Sequence, residues 1–97
     1  MTYYYISSND PNPRNFSCKR FIIDDEYNWV CGNNEGSTWW TILEDKYGWD
    51  GACQHLIDYY EEHISSDDIY QGTGIDGCMI SRITEDELNE LYDEFSN

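Results

Sequence analysis

Residues 49–64 have the sequence WDGACQHLIDYYEEHI, and their pattern predicts an α-helix that packs by one side. The apolar residues recur at steps of three and four, which places them on one face of a helix. That face comprises Trp49, Ala52, Cys53, Leu56, Ile57, Tyr60 and Ile64. Asp50 is expected to cap this helix, which runs to about His63. Other elements of the chain must therefore cover its apolar side.

Two further helices are predicted, one on each side of this stretch. The upstream helix covers residues 39–46, where Ser37 or Thr38 can cap the first turn and a glycine ends the helix. Thr84 and Glu87 form a capping box that opens the downstream helix. The apolar side of this last helix consists of Leu88, Leu91, Tyr92 and Phe95. We expect all of that side, including Tyr92, to be buried in the core.

Aromatic and β-branched side chains predict four strands. These strands cover residues 2–7, 17–23, 27–31 and 78–83. The second and third strands are expected to form a hairpin. If residues 24–25 alone form its loop, Cys18 lies opposite Cys31. Arg20 then lies opposite Trp29, where a cation can sit over the indole ring.

The order of the predicted elements is β-β-β-α-α-β-α. It indicates an α+β domain with a small antiparallel sheet of about three to four strands and two to three helices. Residues 65–77 are polar and contain glycine, so they predict a loop. Neither an internal repeat nor a linker divides the chain, and residues 1–97 are expected to form a single compact acidic domain.

Residues 72–77, GTGIDG, match the glycine pattern of a dinucleotide-binding loop. Such a loop needs a strand before it and a helix after it, whereas here a strand-like segment follows. Asp67, Asp68 and Asp76 would also repel a phosphate. We therefore interpret the match as a glycine loop and expect no cofactor.

The chain has four cysteines, Cys18, Cys31, Cys53 and Cys78. They include no C-x-x-C pair, so a structural metal site is not expected. Cys53 falls on the predicted apolar face and is expected to be a buried thiol. His55 points to a different side of that helix from Cys53, and His63 lies near its acidic end. No set of nucleophile, base and orienting group emerges, so we do not expect an enzyme.

Twenty acidic and five basic residues give the 97-residue chain a formal net charge of −15. Nucleic acid and anionic membranes would repel such a chain, so direct binding to either is not expected. Leu, Ile, Val and Phe total only 18 residues, but nine Tyr and four Trp can supply a small core. No stretch resembles a membrane span or a signal peptide, and we expect a cytoplasmic protein, in the host cell cytoplasm if phage-encoded.

The negative charge is concentrated in the second part of the chain. Residues 1–43 hold five acidic and three basic residues, whereas residues 44–97 hold fifteen acidic and two basic residues. Asp86 and Glu90 lie one turn apart on the last helix, a like-charge spacing that costs a few tenths of a kcal/mol. Solubility of a small domain needs a net charge of only about 2–8. The excess favours a role in binding a basic partner.

These observations predict an inhibitory binding protein that blocks a basic nucleic-acid-binding protein or nuclease complex by imitating a row of phosphates. The expected contact residues combine carboxylates of two helices and one loop with two adjacent tryptophans, one of which is expected to point outward. They are Asp58, Glu61, Glu62, Asp67, Asp68, Glu87, Glu90, Asp93, Glu94, Trp39 and Trp40. Reversal of Glu87, Glu90 and Glu94 to lysine is expected to abolish binding and leave the fold intact.

In size, acidity and aromatic content the chain resembles, as a class, the phage proteins that disable restriction or CRISPR effectors. This resemblance implies a DNA mimic of the anti-CRISPR or anti-restriction type. One alternative is an immunity protein for a basic nuclease toxin. An alternative of a different class is a small cysteine-dependent metal-binding protein, which would use the cysteines as ligands.

Overall fold

A computed structural model describes residues 1–9, 18–33, 37–63 and 72–96. Its elements are β1 (Tyr3–Asn9), β2 (Cys18–Asp24), β3 (Trp29–Gly32), α1 (Thr38–His63), β4 (Thr73–Ile75), β5 (Cys78–Ile83) and α2 (Glu85–Ser96). The strands form one sheet in the order β3-β2-β1-β5-β4, and every neighbouring pair is antiparallel. The α+β class is confirmed, and the sheet has five strands where three to four were predicted.

The central strand β1 separates two hydrophobic cores. Successive side chains of a strand point to opposite faces of the sheet. Tyr4 and Ile6 accordingly pack with residues of α1, whereas Tyr3 and Tyr5 pack in a second cluster that contains Leu88 of α2. The two helices therefore cover opposite faces of the sheet, and the described fold has three layers.

The core on the α1 side is the larger one. Its buried residues are Tyr4, Ile6, Phe21, Ile23, Trp40, Leu43, Ala52, Cys53, Leu56, Ile57, Tyr60, Cys78 and Ile80. Five of these lie on the apolar face predicted for residues 49–64, and Trp49 packs against the cluster while partly buried. Ile64 lies outside the described residues. The periodicity of this stretch therefore predicted its buried side correctly.

The core on the α2 side is smaller and includes more partly buried side chains. Ile22, Ile83 and Leu88 are buried there, and Leu91 and Phe95 pack against them. Tyr92 is 50 % exposed, so its predicted place in the core is wrong. Leu88, Leu91 and Phe95 already fill the contact at helical steps, and Tyr92 lies about 100° further round the helix than Leu91.

Helix α1 is interrupted at Gly48, where the backbone leaves the helical region (φ 76°, ψ 175°). The two helices predicted on either side of this glycine are thus the two segments of α1. At the start of α1, the Thr41 amide donates to the Ser37 carbonyl at 3.0 Å, which makes Ser37 the capping residue. The Ser37 hydroxyl is also hydrogen-bonded to the Ser8 hydroxyl at 2.7 Å, which joins the helix start to β1.

The turn between β2 and β3 is longer than the two-residue loop considered from the sequence. The Tyr27 amide donates to the Asp24 carbonyl, and Tyr27 adopts a left-handed conformation (φ 66°). A bulge between Ile22 and Ile23 adds a further shift. Such a turn has three loop residues, of which the last is left-handed.

The longer turn changes the register of the hairpin. Cys31 lies opposite Ile22 and Trp29 lies opposite Ile23. The predicted pairs of Cys18 with Cys31 and of Arg20 with Trp29 are therefore wrong. The cation near the Trp29 ring is instead that of Lys19, whose Nζ lies 5.5 Å from the ring centroid.

Residues 73–83 form a hairpin, which corrects the prediction of a loop up to residue 77. Asp76 and Gly77 connect β4 to β5 with φ values of 56° and 80°. Two adjacent left-handed residues are typical of a type I′ turn, for which Asp-Gly is a preferred sequence. The glycine pattern of residues 72–77 therefore serves a tight turn between strands.

We predict different costs for alanine at the two left-handed glycines. Gly48→Ala should lower the free energy of unfolding by about 1–3 kcal/mol, because the backbone there favours glycine and the space around it is open. Gly77→Ala should cost more, because the new side chain would also overlap the Trp39 ring. Urea unfolding followed by tryptophan fluorescence measures both. Equal losses would show that Trp39 does not pack on the turn.

We also predict a pH-dependent contribution from Asp24. Desolvation raises the pKa of Asp24, but hydrogen bonds from Asn28 and the Glu26 backbone outweigh it and hold the pKa below the usual 3.8. Stability from a lowered carboxyl pKa is present above the unfolded value and is lost as the pH falls through the folded value. Asp24→Asn should therefore be less stable than the wild type at neutral pH, and the difference should shrink in acid below about 3.8.

The comparison uses urea unfolding of both proteins across this pH range. The difference between them removes the general effect of carboxylate protonation, since that effect is common to both. A difference that stays constant from neutral pH into acid would contradict the assignment.

Candidate partner-binding surfaces

The α1 acidic surface consists of Asp58, Glu61 and Glu62, all of which are exposed. Glu61 and Glu62 follow Asp58 by three and four residues, so the Cβ atom of each lies about 5–6 Å from that of Asp58 on one side of the helix. The Gln54 Nε2 donates a hydrogen bond of 2.7 Å to the Asp58 Oδ1. The Tyr27 hydroxyl in turn donates to the Gln54 Oε1. The turn between β2 and β3 thus helps to orient the Asp58 carboxylate.

Tyr27 is itself held against α1 through its backbone. Its carbonyl accepts a hydrogen bond of 2.6 Å from the Trp49 Nε1. Burial raises the pKa of the Tyr27 hydroxyl, and the charge of Asp58 raises it further. The phenol therefore stays protonated at neutral pH and acts as a hydrogen-bond donor beside the α1 acidic surface.

The α2 acidic surface consists of Glu87, Glu90, Asp93 and Glu94. The last three side chains are exposed, and Glu87 is half-buried. Glu94 accepts a hydrogen bond of 3.1 Å from the Arg20 guanidinium on β2. The Arg20 and Glu94 side chains are 36 % and 53 % exposed, so solvent screens this ion pair and it adds little to stability.

Glu87 belongs to the α2 acidic surface and also caps the start of α2 through contacts with Thr84. Its carboxylate lies 3.2 Å from the Thr84 amide and 3.1 Å from the Thr84 hydroxyl, both of which can donate to it. The Glu87 amide donates to the Thr84 hydroxyl at 3.2 Å. The predicted capping box is therefore confirmed. Reversal of Glu87 to lysine would break it, which corrects the expectation that the fold tolerates that change.

The two acidic surfaces lie on opposite sides of the molecule. Each helix turns its apolar side toward the central sheet and its carboxylates outward. The sequence analysis grouped the carboxylates of both helices in one contact region, because a sequence does not show which face of the sheet each helix covers. A rigid basic groove that occludes one set does not at the same time occlude the other. Asp67 and Asp68, which belonged to the same predicted region, lie outside the described residues.

The two adjacent tryptophans of α1 both pack against the larger core and differ in exposure. Trp40 is 2 % exposed and lies in the core, so it cannot contact a partner in this conformation. Its Nε1 donates to the Glu44 carboxylate at 2.8 Å. Trp39 is half-buried against the same core and packs on Gly77. Neither side chain stands free of the core on the surface.

Trp29 is the exposed tryptophan, and the sequence analysis did not select it. Its side chain is 43 % exposed. Its ring stacks on Phe21 with a centroid distance of 5.3 Å and an interplanar angle of 7°. Trp29 belongs to β3, at the edge of the described sheet. The sequence marks β3 as a strand, but edge position depends on how distant strands pair.

Four of the five Lys and Arg side chains belong to the described residues, and each lies over an aromatic ring. Lys19 lies over Phe21 and Trp29, Arg20 over Phe95, Lys46 over Tyr47 and Arg82 over Tyr60, at 5.1–5.8 Å from the ring centroids. These distances suit cation–π attraction. The four described cations therefore contact aromatic rings, and Arg20 is in addition paired with the Glu94 carboxylate.

Cys31, Cys53 and Cys78 lie in or beside the cores as thiols. Burial raises the pKa of Cys53 to about 12, with further contributions from the charges of Asp50 and Glu44. Burial also raises the pKa of Cys31 and Cys78. A raised pKa disfavours the thiolate needed for metal binding or nucleophilic attack. Among residues 1–9, 18–33, 37–63 and 72–96, no three His, Cys, Asp or Glu side chains are grouped to hold a metal ion.

Each of the two histidines contacts a nearby ring. The His55 Nε2 lies 3.0 Å from the Asp76 Oδ2, and its ring stacks on Tyr47 at 4.9 Å. The His63 Nδ1 lies 2.9 Å from the Tyr59 carbonyl, and its ring stacks on Tyr59. The His55–Asp76 pair joins α1 to the turn between β4 and β5, a contact that the prediction of a loop for residues 65–77 had missed.

Comparison with family models, curated proteins and solved structures found no match. Across the described helices, none is both long and apolar enough to cross a membrane.

We predict opposite effects from the same charge reversal at two positions of α2. Glu87→Lys should lower the free energy of unfolding by about 0.5–2 kcal/mol, because it removes the capping contacts and places a cation in the first turn. Glu90→Lys should leave stability unchanged or raise it by a few tenths of a kcal/mol, because it relieves repulsion from Asp86. Urea unfolding measures both, and equal effects would argue against a capping role for Glu87.

Proposed function

We propose that this protein is an acidic inhibitory binding protein that blocks a basic nucleic-acid-binding protein by phosphate mimicry. Under this proposal it is a phage anti-defence protein of the anti-CRISPR or anti-restriction type. One observation carries the proposal: exposed carboxylates line the outer sides of both helices and outnumber the described cations, of which Arg20 is paired with Glu94. The outer surface of each helix is consequently strongly negative.

The ends of the helices support this proposal. Glu61 and Glu62 lie in the last turn of α1, where His63 is the one basic residue, and Asp93 and Glu94 lie in the last turns of α2, which hold no basic residue. Carboxylates near a helix C-terminus are destabilising, because the helix dipole places partial negative charge there. A sequence shaped for stability alone would carry lysine or arginine at these positions. The retained carboxylates suit a surface whose purpose is to attract a basic groove.

The spacing of the carboxylates also suits a site built for phosphates. Side chains three and four residues apart on a helix give a row of negative groups about 5–6 Å apart. A groove that binds nucleic acid presents lysine and arginine side chains to a comparable row of phosphates. The same groups can make charge-assisted hydrogen bonds to carboxylates, and occupancy by one ligand excludes the other.

The proposal predicts that capture of a partner depends on one acidic surface and is reversed by nucleic acid. Three tagged variants each remove two charges. Glu61→Gln with Glu62→Gln alters the α1 acidic surface, and Glu90→Gln with Asp93→Asn alters the α2 acidic surface. Asp45→Asn with Asp50→Asn is the control, because it lowers the net charge equally at exposed positions outside both surfaces.

The measurement is a pull-down from host lysate at low and moderate salt, with and without added duplex DNA, followed by identification of the captured proteins. A nucleic-acid enzyme should bind the wild type and the control, should bind one surface variant much less, and should be released by DNA. Capture that resists DNA and salt would instead indicate a toxin–immunity type of interface. Equal capture by all three variants would overturn the assignment to these surfaces.

A further inference from the structure

Strand β3 is an edge strand of the described sheet, and within the described residues its protection is limited to its short length and one bulge. In the described sheet it pairs with β2 alone, so every second backbone group faces away from the sheet. Proteins commonly protect an edge with lysine, proline or a charged side chain that points inward. The sequence of β3 is WVCG and contains none of these. The bulge opposite Ile22 and Ile23 is the one irregularity recorded in this pairing.

The opposite edge of the described sheet differs from β3. Strand β4 has only three residues, Thr73–Ile75, and packs against α1, with Ile75 lying against the large core. Strand β4 is only one residue shorter than β3, but its packing against α1 restricts the approach of another strand. Of the two edges, β3 is therefore the one suited to receive a further strand.

The two faces of β3 present different chemistry. On the α1 side, Trp29 is 43 % exposed and is held flat against Phe21, with Lys19 beside both rings. On the other side, Val30 and Cys31 pack with α2, the helix that bears Glu90 and Glu94. One face beside the edge is thus aromatic with Lys19 nearby, and the other carries Glu90 and Glu94, of which Glu94 is paired with Arg20.

This asymmetry specifies the side chains that an added strand would carry. Because alternate residues of a strand point to opposite faces, one set would face α2 and the other set would face Trp29. Basic side chains fit the acidic α2 side, whereas neutral side chains fit the Trp29 side, where Lys19 repels a second cation. A partly exposed, rigidly stacked tryptophan is also a typical binding hot spot.

We propose that β3 is the docking edge for the partner, and that an extended basic segment of that partner adds to the sheet beside it. Backbone hydrogen bonds to β3 supply affinity, and the alternation of basic and neutral side chains supplies specificity. This inference rests on the proposed function, since it assumes a basic partner. It goes further by naming the edge and the conformation of the segment that binds.

The test uses two synthetic peptides of equal length and charge. One alternates arginine with threonine, and the other alternates arginine with proline. Both attract the acidic protein equally at long range, but proline lacks an amide hydrogen and does not pair regularly in a sheet. The threonine peptide should bind at least about tenfold more tightly, a difference that corresponds to about 1.4 kcal/mol. It should shift the backbone amide NMR signals of Trp29–Gly32 and leave those of Thr73–Ile75 unchanged.

Two variants locate the contact. Trp29→Ala should weaken the threonine peptide by about tenfold and leave the proline peptide unaffected, because only the paired strand reaches that ring. Met79→Ala is the control, since Met79 is also exposed (51 %) but belongs to β5, away from this edge. The comparison of peptides on the wild type does not depend on how well either variant folds.

Three results would overturn docking at β3: equal affinity for the two peptides, binding of neither peptide, or amide shifts at Thr73–Ile75 instead of Trp29–Gly32. Each of these leaves the proposed function intact if the pull-down still captures a DNA-releasable partner through one acidic surface. Failure of that pull-down together with tight, strand-specific peptide binding would support the edge site and reject phosphate mimicry. The two proposals are therefore separable.

Discussion

The alternation of side chains along β1 is the constraint on which the rest of the structure depends. This strand is paired on both sides, by β2 and β5, so its side chains can point only toward the two faces of the sheet. Both faces carry apolar residues, and each therefore needs a covering helix. The same constraint determines the surface, because α1 and α2 must then present their carboxylates in opposite directions. The two-sided charge of the molecule follows from the hydrophobic requirement of its central strand.

Aromatic side chains perform two tasks that aliphatic side chains could not combine. Phe21 and Trp40 pack edge to face at 4.8 Å in the larger core, where they replace missing aliphatic volume. Two further rings, Tyr60 in the larger core and Phe95 beside the smaller one, lie next to arginine side chains. Arg20 contacts both the Phe95 ring and the Glu94 carboxylate, so the edge of the smaller core also positions a cation at the acidic side of α2.

Local patterns in the sequence predicted the helices well and the sheet less well. The apolar face of residues 49–64, the break at Gly48 and the capping box of Thr84 depend on residues a few positions apart. Strand β4 was missed because three residues are too few to show a period, although Asp76-Gly77 is a turn signal. The register of the β2–β3 hairpin was wrong because Tyr27 adopts a left-handed conformation. Its hydroxyl and carbonyl contacts with α1 hold it there, and no local preference for tyrosine indicates that conformation.

The sequence by itself determined the α+β class, the faces of the helices, their caps and the excess of negative charge. The net charge follows from the composition, and the other properties depend on residues that are close together along the chain. Only the tertiary structure decided which carboxylates share a surface, that Trp29 rather than Trp40 is exposed, and where the cations lie. Those outcomes depend on contacts between distant residues, such as Arg20 with Glu94 and His55 with Asp76. Such contacts follow from strand order and from the face that each helix covers, because these place residues far apart in the sequence side by side.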